Sequence, residues 1–201
     1  MKHAVIVSHP GARSFTLAMA EAYAGALRAA GHEVLIRDLY RMEFDPRLAA
    51  DEIPGTHGFA PREDATAERA LLADARVFAF FYPVWFDAPP AMLKGYIDRV
   101  FGMGFGYGMG HGGNEPLLTG RSMISFSSSG APHSWMVETG DWDAMRKLFD
   151  EHVAAVCGLS VLDHVHFGGI VPGVTSEAVE SCADQVRAAA ARHFAPSNAA
   201  G

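Results

Sequence analysis

Residues 77–101 constrain this chain more than any other stretch. Val77-Phe-Ala-Phe-Phe81 is an unbroken apolar run, too short for a helix and without alternation, so it predicts a strand buried on both faces. Leu93, Tyr96, Ile97 and Val100 then recur at helical spacing and predict a helix with one apolar face. Asp87 is a candidate cap for that helix, and Pro89-Pro90 suits its first turn, where a missing amide proton costs nothing. Between strand and helix lie Pro83, Val84, Trp85 and Phe86, a rigid aromatic loop at the carboxyl end of a central strand. Open α/β sheets bind their ligands at such ends, and this loop suits something flat. The plainer alternative is that Trp85 and Phe86 cap the core.

The same alternation of strand and helix runs through the chain. Residues 3–8 are an apolar run stopped by Pro10 and Gly11, residues 14–30 an Ala- and Leu-rich helix stopped by Gly31, and residues 32–37 a second strand. Residues 38–64 carry prolines, glycines and scattered acids, and read as a long excursion with at most one short helix. A helix at 65–75 precedes the central strand. Residues 102–120 are glycine-rich, lack packing periodicity and read as an extended functional loop. A fourth strand at 121–127, a helix at 142–156, a fifth strand at 159–167 and a last helix capped by Thr175 and ending near His193 complete the order. This predicts an α/β, doubly wound, five-stranded parallel sheet in three layers with right-handed crossovers. Residues 1–195 form one domain in this reading, and residues 196–201 a frayed tail.

Composition narrows the function. A net charge of −7 without any basic run argues against nucleic acid. Cys157 and Cys182 have neither metal-type spacing nor a disulfide framework, and are expected to be small buried residues of a reducing compartment. A strand that starts within three residues of Met1 leaves no room for a secretion signal, and no apolar run matches the span of a bilayer. A soluble, cytoplasmic protein is expected.

Three loops leave the carboxyl ends of strands one, three and four, which this topology sets side by side. In the first, Ser8-His-Pro-Gly-Ala-Arg-Ser-Phe-Thr16, helix-start amides and the Ser14 and Thr16 hydroxyls would make an anion site, with Arg13 as a nearby positive charge. It matches neither the G-x-G-x-x-G turn nor the phosphate loop of nucleotide hydrolases, and an ordinary capped helix start is the alternative. The third loop, with Ser127, Ser128 and Gly130, offers hydroxyls and backbone donors to a polar ring edge. A phosphate cradle, an aromatic wall and a donor-rich loop together describe a flavin nucleotide site, for FMN or FAD.

Several motifs together carry a resemblance. Ser8-His-Pro with Ser14-Phe15, Tyr82-Pro-Val-Trp-Phe86 and Pro89-Pro-Ala-Met-Leu-Lys-Gly-Tyr-Ile-Asp98 are joined by Gly104-Phe-Gly-Tyr107, Pro116-Leu-Leu-Thr-Gly-Arg121 and Ser127-Ser-Ser-Gly130. The set resembles the NAD(P)H:quinone oxidoreductase family of flavodoxin-like proteins. That family includes DT-diaphorase-type reductases, drug-activity modulators and the ancillary flavoproteins of potassium efflux systems. The resemblance implies that His9, Ser14, Phe15 and Thr16 hold the flavin phosphates. It implies that Pro83, Val84, Trp85 and Phe86 lie along the isoalloxazine, with Ser127, Ser128 and Gly130 at its pyrimidine edge. Phe105 and Tyr107 would close the substrate pocket from the partner subunit of a two-fold homodimer.

The implied reaction is ping-pong, from NAD(P)H through the flavin to a quinone-like acceptor. Diaphorase-type members handle charge with a Tyr and a downstream His; by position Trp135 and Asp141 stand there instead. Trp135, His133 and Tyr107 are therefore the catalytic candidates: Trp135 stacks against the substrate, and His133 or Tyr107 stabilises negative charge. Ser129 stands where a Gly is usual, which implies a looser approach to the ring. A second reading is a flavin-binding regulatory subunit docked on a membrane efflux protein, since residues 110–113 are closest to that branch. His164 and His166 share a strand face without a third ligand, so no metal is expected; Lys94 and Asp98 read as a surface ion pair.

Overall fold

The structure, a computed structural model, describes residues 1–55, 58–110 and 113–195. The chain runs β1 (Lys2–Val7), α1 (Phe15–Ala29), β2 (Glu33–Asp38), a 3-10 turn (Ala50–Glu52), α2 (Glu63–Leu72), β3 (Val77–Pro83) and α3 (Ala91–Val100). It continues with β4 (Tyr107–Gly110), β5 (Gly113–Pro116), β6 (Ser122–Ser128), α4 (His133–Thr139) and α5 (Asp141–Arg146). A π-helical turn (Lys147–Glu151), α6 (His152–Cys157), β7 (Ser160–Phe167) and α7 (Ser176–Phe194) end it. Five parallel strands pair in the order β2-β1-β3-β6-β7, so the chain reverses its direction of travel across the sheet between β1 and β3. The doubly wound sheet is as expected, and its strands lie within two residues of the predicted bounds.

Strand alternation divides the core into two layers. Val5, Val7, Ala79, Phe81, Ile124 and Phe126 face α1 and α7, where Met19, Tyr23, Leu27, Val186 and Ala190 meet them. Ala4, Ile6, Phe78, Phe80, Tyr82 and Met123 face α2, α3 and α6, meeting Leu72, Leu93, Tyr96, Val100 and Val153. All of β3 is buried, which is why its sequence shows no polar face.

Three local expectations need correction. Asp87 does not cap α3: the N-cap is Pro90, without a side-chain bond, and Asp87 sits in a left-handed turn four residues before the helix. Residues 102–120 are not one extended loop, because β4 and β5 pair as an antiparallel hairpin within them. The predicted helix at 142–156 is interrupted by the π turn, and α4, which carries little apolar periodicity, precedes it. The expected frayed tail at 196–201 lies outside the described residues, as do residues 111–112 of the run likened to the efflux branch.

The excursion after β2 is held by buried charge. The Arg99 guanidinium is 1% exposed, and its Nε meets Glu52 Oε2 at 2.9 Å and its Nη2 meets Asp64 Oδ1 at 2.6 Å. Arg99 also donates to the Asp45 carbonyl, while Gly95 lies so close to Pro46 that a Cβ would collide with the proline carbonyl. Arg69 satisfies three backbone carbonyls at the end of α3, those of Arg99, Val100 and Met103. Replacing Arg99 by Leu strands Glu52 in the interior, and is expected to lower the unfolding free energy by about 3 kcal/mol in a denaturant titration.

At the opposite end of the sheet a chain of neutral donors docks α7. His32 Nε2–H donates to the Phe194 carbonyl (3.1 Å), His3 Nε2–H to His32 Nδ1 (3.0 Å), and the Tyr23 hydroxyl to His3 Nδ1 (3.3 Å). Burial, then the nearby His32 and the amino terminus, pull His3 from 6.5 down to about 3. The folded state thus keeps His3 neutral while the unfolded chain takes a proton near pH 6.5, so the unfolded state binds more protons as pH falls. The His3 contribution is complete above pH 6.5 and is lost progressively toward pH 3. The urea midpoint should accordingly fall between pH 7 and pH 4, and fall less in His3→Phe.

Candidate functional site

Parallel pairing brings the loops after β1, β3 and β6 to one edge. Ser8 N–H donates to the Phe81 carbonyl (2.9 Å) and Val84 N–H to the Ser128 carbonyl (2.7 Å), so each loop leaves its strand already tied to a neighbour. Together they enclose a cleft of about 170 Å³ lined by His9, Phe15, Thr16, Pro83, Val84, Trp85, Ser128, Ser129, Gly130 and Ile170.

The first wall is a helix start. Ser14 is the N-cap of α1, and its Oγ accepts from Leu17 N–H at 3.1 Å, leaving the Phe15 and Thr16 amides without intrahelical acceptors. His9 Nδ1 accepts from Gly11 N–H (2.9 Å), which puts the proton of the neutral ring on Nε2. Burial, with Arg41 contributing, holds His9 below its usual pKa. Arg41 clamps the loop from below by donating to the His9 and Pro10 carbonyls. The Ser8 hydroxyl is buried beneath the loop without a hydrogen-bond partner.

The second wall is a strained turn. Trp85 and Ala88 exchange backbone hydrogen bonds (3.0 and 3.2 Å), and between them Phe86 and Asp87 both take positive φ, 51° and 55°. This is the two-residue turn that usually carries Asn-Gly. The Trp85 side chain is 43% exposed and its ring lies 6.2 Å from that of His9. Phe86 stands fully in solvent at the apex.

The third wall is the end of β6. Ser129 N–H donates to the Phe167 carbonyl and Ile170 N–H to the Ser129 carbonyl, so β7 and the segment after it brace the loop. Behind the wall, Ser127 Oγ lies 2.7 Å from His164 Nε2 and 2.8 Å from His166 Nδ1, and Ser129 Oγ lies 2.9 Å from His166 Nε2. His164 Nδ1 meets Asp150 Oδ2 at 2.6 Å, and Ser125 donates to Asp150 Oδ1 at 2.7 Å.

The expected site residues divide accordingly. His9, Phe15, Thr16, Pro83, Val84, Trp85, Ser128 and Gly130 meet in the cleft. Ser14 acts as a cap, Arg13 is exposed beside it, Phe86 points away, and the Ser127 hydroxyl turns toward the histidines. His133 and Trp135 begin α4 and are exposed; the His133 ring lies 4.7 Å from Trp142. Phe105 packs on Phe101 and Phe78, and Tyr107 lines a separate groove with Leu148, His152 and Cys157. Lys94 and Asp98 form the expected exposed ion pair at 2.6 Å. Among the described residues no three His, Cys, Asp or Glu side chains are arranged to hold a metal.

Sequence reasoning missed Arg41, Ile170 and Asp150. The first two carry no signal without the fold. Asp150 is detectable only through its partners: serines at 125, 127 and 129 and histidines at 164 and 166 repeat every second residue along two neighbouring segments, and polar groups held against a sheet must find partners.

A family model described by its flavodoxin-like fold matches residues 1–191. A Haemophilus influenzae protein named as an uncharacterized NAD(P)H oxidoreductase is 31% identical over 171 residues, 85% of each chain. NAD(P)H dehydrogenase [quinone] 1 of Cavia porcellus is 27% identical, with 79% of this chain covering 65% of that protein. Among solved structures, the NAD(P)H:quinone oxidoreductase of Methanothermobacter marburgensis superposes with a TM-score of 0.82 at 27% identity, over 94% of this chain and 95% of that one. The chain belongs to the flavodoxin-like family. Within it, it groups with the NAD(P)H oxidoreductases and quinone reductases, as the motifs implied.

The turn at Phe86 and Asp87 yields a stability test. Asp87→Gly removes the steric cost of one left-handed residue, about 1 kcal/mol, and should raise Tm by roughly 2–4 °C in a thermal melt.

Proposed function

We propose that this protein is a flavin-dependent oxidoreductase that uses NAD(P)H to reduce a quinone-like acceptor. The observation that carries the reading is the shared cleft, where free helix-start amides, an aromatic wall and a serine-glycine loop face one another. Its donors fit FMN or FAD: the Phe15 and Thr16 amides, the Thr16 hydroxyl and the His9 Nε2–H suit phosphate, and the Ser8 hydroxyl, just after β1, is buried without a partner. When bound, a flavin would supply the two-electron hydride chemistry that links NAD(P)H to the acceptor in a ping-pong reaction.

The chain's own residues bind and orient. Trp85 and Val84 would flank the ring system, and Arg41 keeps the phosphate loop rigid by holding its carbonyls. Ser128 and Gly130 would meet the polar edge. Arg13, exposed beside Ser14, would add positive charge near the helix start, which Ser14 caps. Ser127 acts in this scheme through the groups behind the wall. Trp135 and His133 offer a stacking surface and a polar group on α4.

A two-fold homodimer would let Phe105 and Tyr107 of one subunit close the pocket of the other. The exposed Met109 and Leu148, with the groove beside Tyr107, support such an interface. The names of the relatives favour this enzyme over the regulatory-subunit reading with its membrane partner. A cytoplasmic enzyme without nucleic-acid partners is proposed; the acidic balance supports the second point, and no helix among the described residues is long and apolar enough to cross a membrane.

The purified protein should show a flavin absorbance band, identifiable by mass after heat release, that bleaches under argon on addition of NADPH or NADH. Trp85→Ala should weaken flavin binding roughly tenfold, measured by fluorescence titration. Failure to bind FMN or FAD after reconstitution overturns the proposal.

A further inference from the structure

Behind the cleft, a polar chain crosses the edge of the sheet from interior to wall: Asp150, His164, Ser127, His166, Ser129. β6 and β7 hold it in register, with Ser125 opposite His164 and Ser127 opposite His166. Each serine hydroxyl has one proton and each neutral imidazole one donor nitrogen, so only certain proton arrangements satisfy every bond. In one, His164 is neutral with Nδ1–H on Asp150, Ser127 donates to His164 Nε2, His166 Nδ1–H donates to Ser127, and Ser129 donates to His166 Nε2. In the other the Asp150 link is kept and every link beyond it is reversed: His164 is an imidazolium donating from Nε2 to Ser127, Ser127 donates to His166 Nδ1, and His166 Nε2–H donates to Ser129. Ser129 then donates to the Ala131 carbonyl at 2.8 Å.

The two arrangements differ by one proton. We infer that this chain is a built-in proton store, with its charge held on His164 against Asp150 and its outlet at Ser129, the one member of the chain that also lines the cleft. This deepens the oxidoreductase reading and rests on it. Reducing a quinone to a hydroquinone takes a hydride, derived from NAD(P)H, and one further proton. That proton leaves Ser129 Oγ for the acceptor oxygen as the links shift one place and His164 returns to neutral. Once product has left, water returns a proton at Ser129 and recharges the store. The store takes the place of the Tyr and His whose positions Trp135 and Asp141 occupy.

The surroundings suit the role. The His164 and Asp150 side chains are each 1% exposed, so the charge is paired away from solvent. Burial, then His164 and His133, hold His166 down to about 4, so it passes the proton without retaining it. Trp142 covers the outer side, with its ring 4.8 Å from His164 and 5.3 Å from His166. Other groups that face the chain are Tyr82 of β3, kept neutral by burial and then by Asp150, His133 of α4, 5.2 Å from His166, and Arg146 of α5, over Trp142.

The test is imidazole ¹⁵N NMR of the full chain between pH 5 and pH 9, with and without FMN. The His164 imidazolium and the Nε2–H tautomer of His166 should appear and disappear together across the series, because the hydrogen-bond links shift as a unit. Ser127→Ala, which cuts the chain, should uncouple the two rings and leave His166 fixed in one tautomer. In FMN-loaded protein, Ser127→Ala should slow oxidation by 1,4-benzoquinone about a hundredfold more than reduction by NADPH. A His166 tautomer that never changes, or one that still switches with His164 in Ser127→Ala, overturns the inference even if FMN binds and turns over. A protein that binds no flavin overturns the oxidoreductase reading instead, while the coupled switch is judged separately in the cofactor-free chain.

Discussion

Parallel pairing of β3 with β1 on one side and β6 on the other underlies every other feature of this molecule. Parallel strands all end at the same edge, so three loops distant in sequence must meet there. They require crossovers, and the helices that provide them bury both faces of the sheet. The cleft is therefore assembled before any of its side chains are considered. Loop-to-strand bonds such as Val84 to Ser128 extend the sheet's geometry a residue or two beyond its last rung.

The sheet was largely legible because its strands carry strong signals of burial. The seven residues of β3 have no polar face, and only a strand covered on both sides can use such a run. The Thr175 cap was also legible, and a capped start at Ser14 was the alternative to an anion site there, since a capping bond is local: each side chain accepts from an amide three residues on. Asp87 carried the same signal and misled, because the reciprocal bonds between Trp85 and Ala88 close a turn around it before the helix begins. α4 was illegible for the opposite reason. Met136 is its only buried residue, and Pro132 and the left-handed Gly140 bound it where no apolar stripe announces it.

The cleft residues were legible as three loops; the groups behind them were not. Serines and histidines at every second position are visible in the sequence, but their partners depend on register, and register is a property of two strands. The placement of Ser125 opposite His164 turns two separate polar patterns into one network. Ser129 looked like an impediment in a position suited to glycine; its hydroxyl instead reaches both Ala131 and His166.

The segment from Asp141 to Cys157 is a single rod with a phase slip in its middle. Its π turn lets the chain advance one residue without the rotation of roughly 100° that an α-helix would impose. Phe149 and Asp150 face the sheet at that point, while Val153 and Cys157 resume contact on the far side of the slip. Asp150 and the α6 core contacts thus obey two different angular settings. Deleting one residue from the turn would bring the rod back into phase only by swinging either the carboxylate or the apolar stripe away from the sheet, so the irregularity is what allows one helix to serve both.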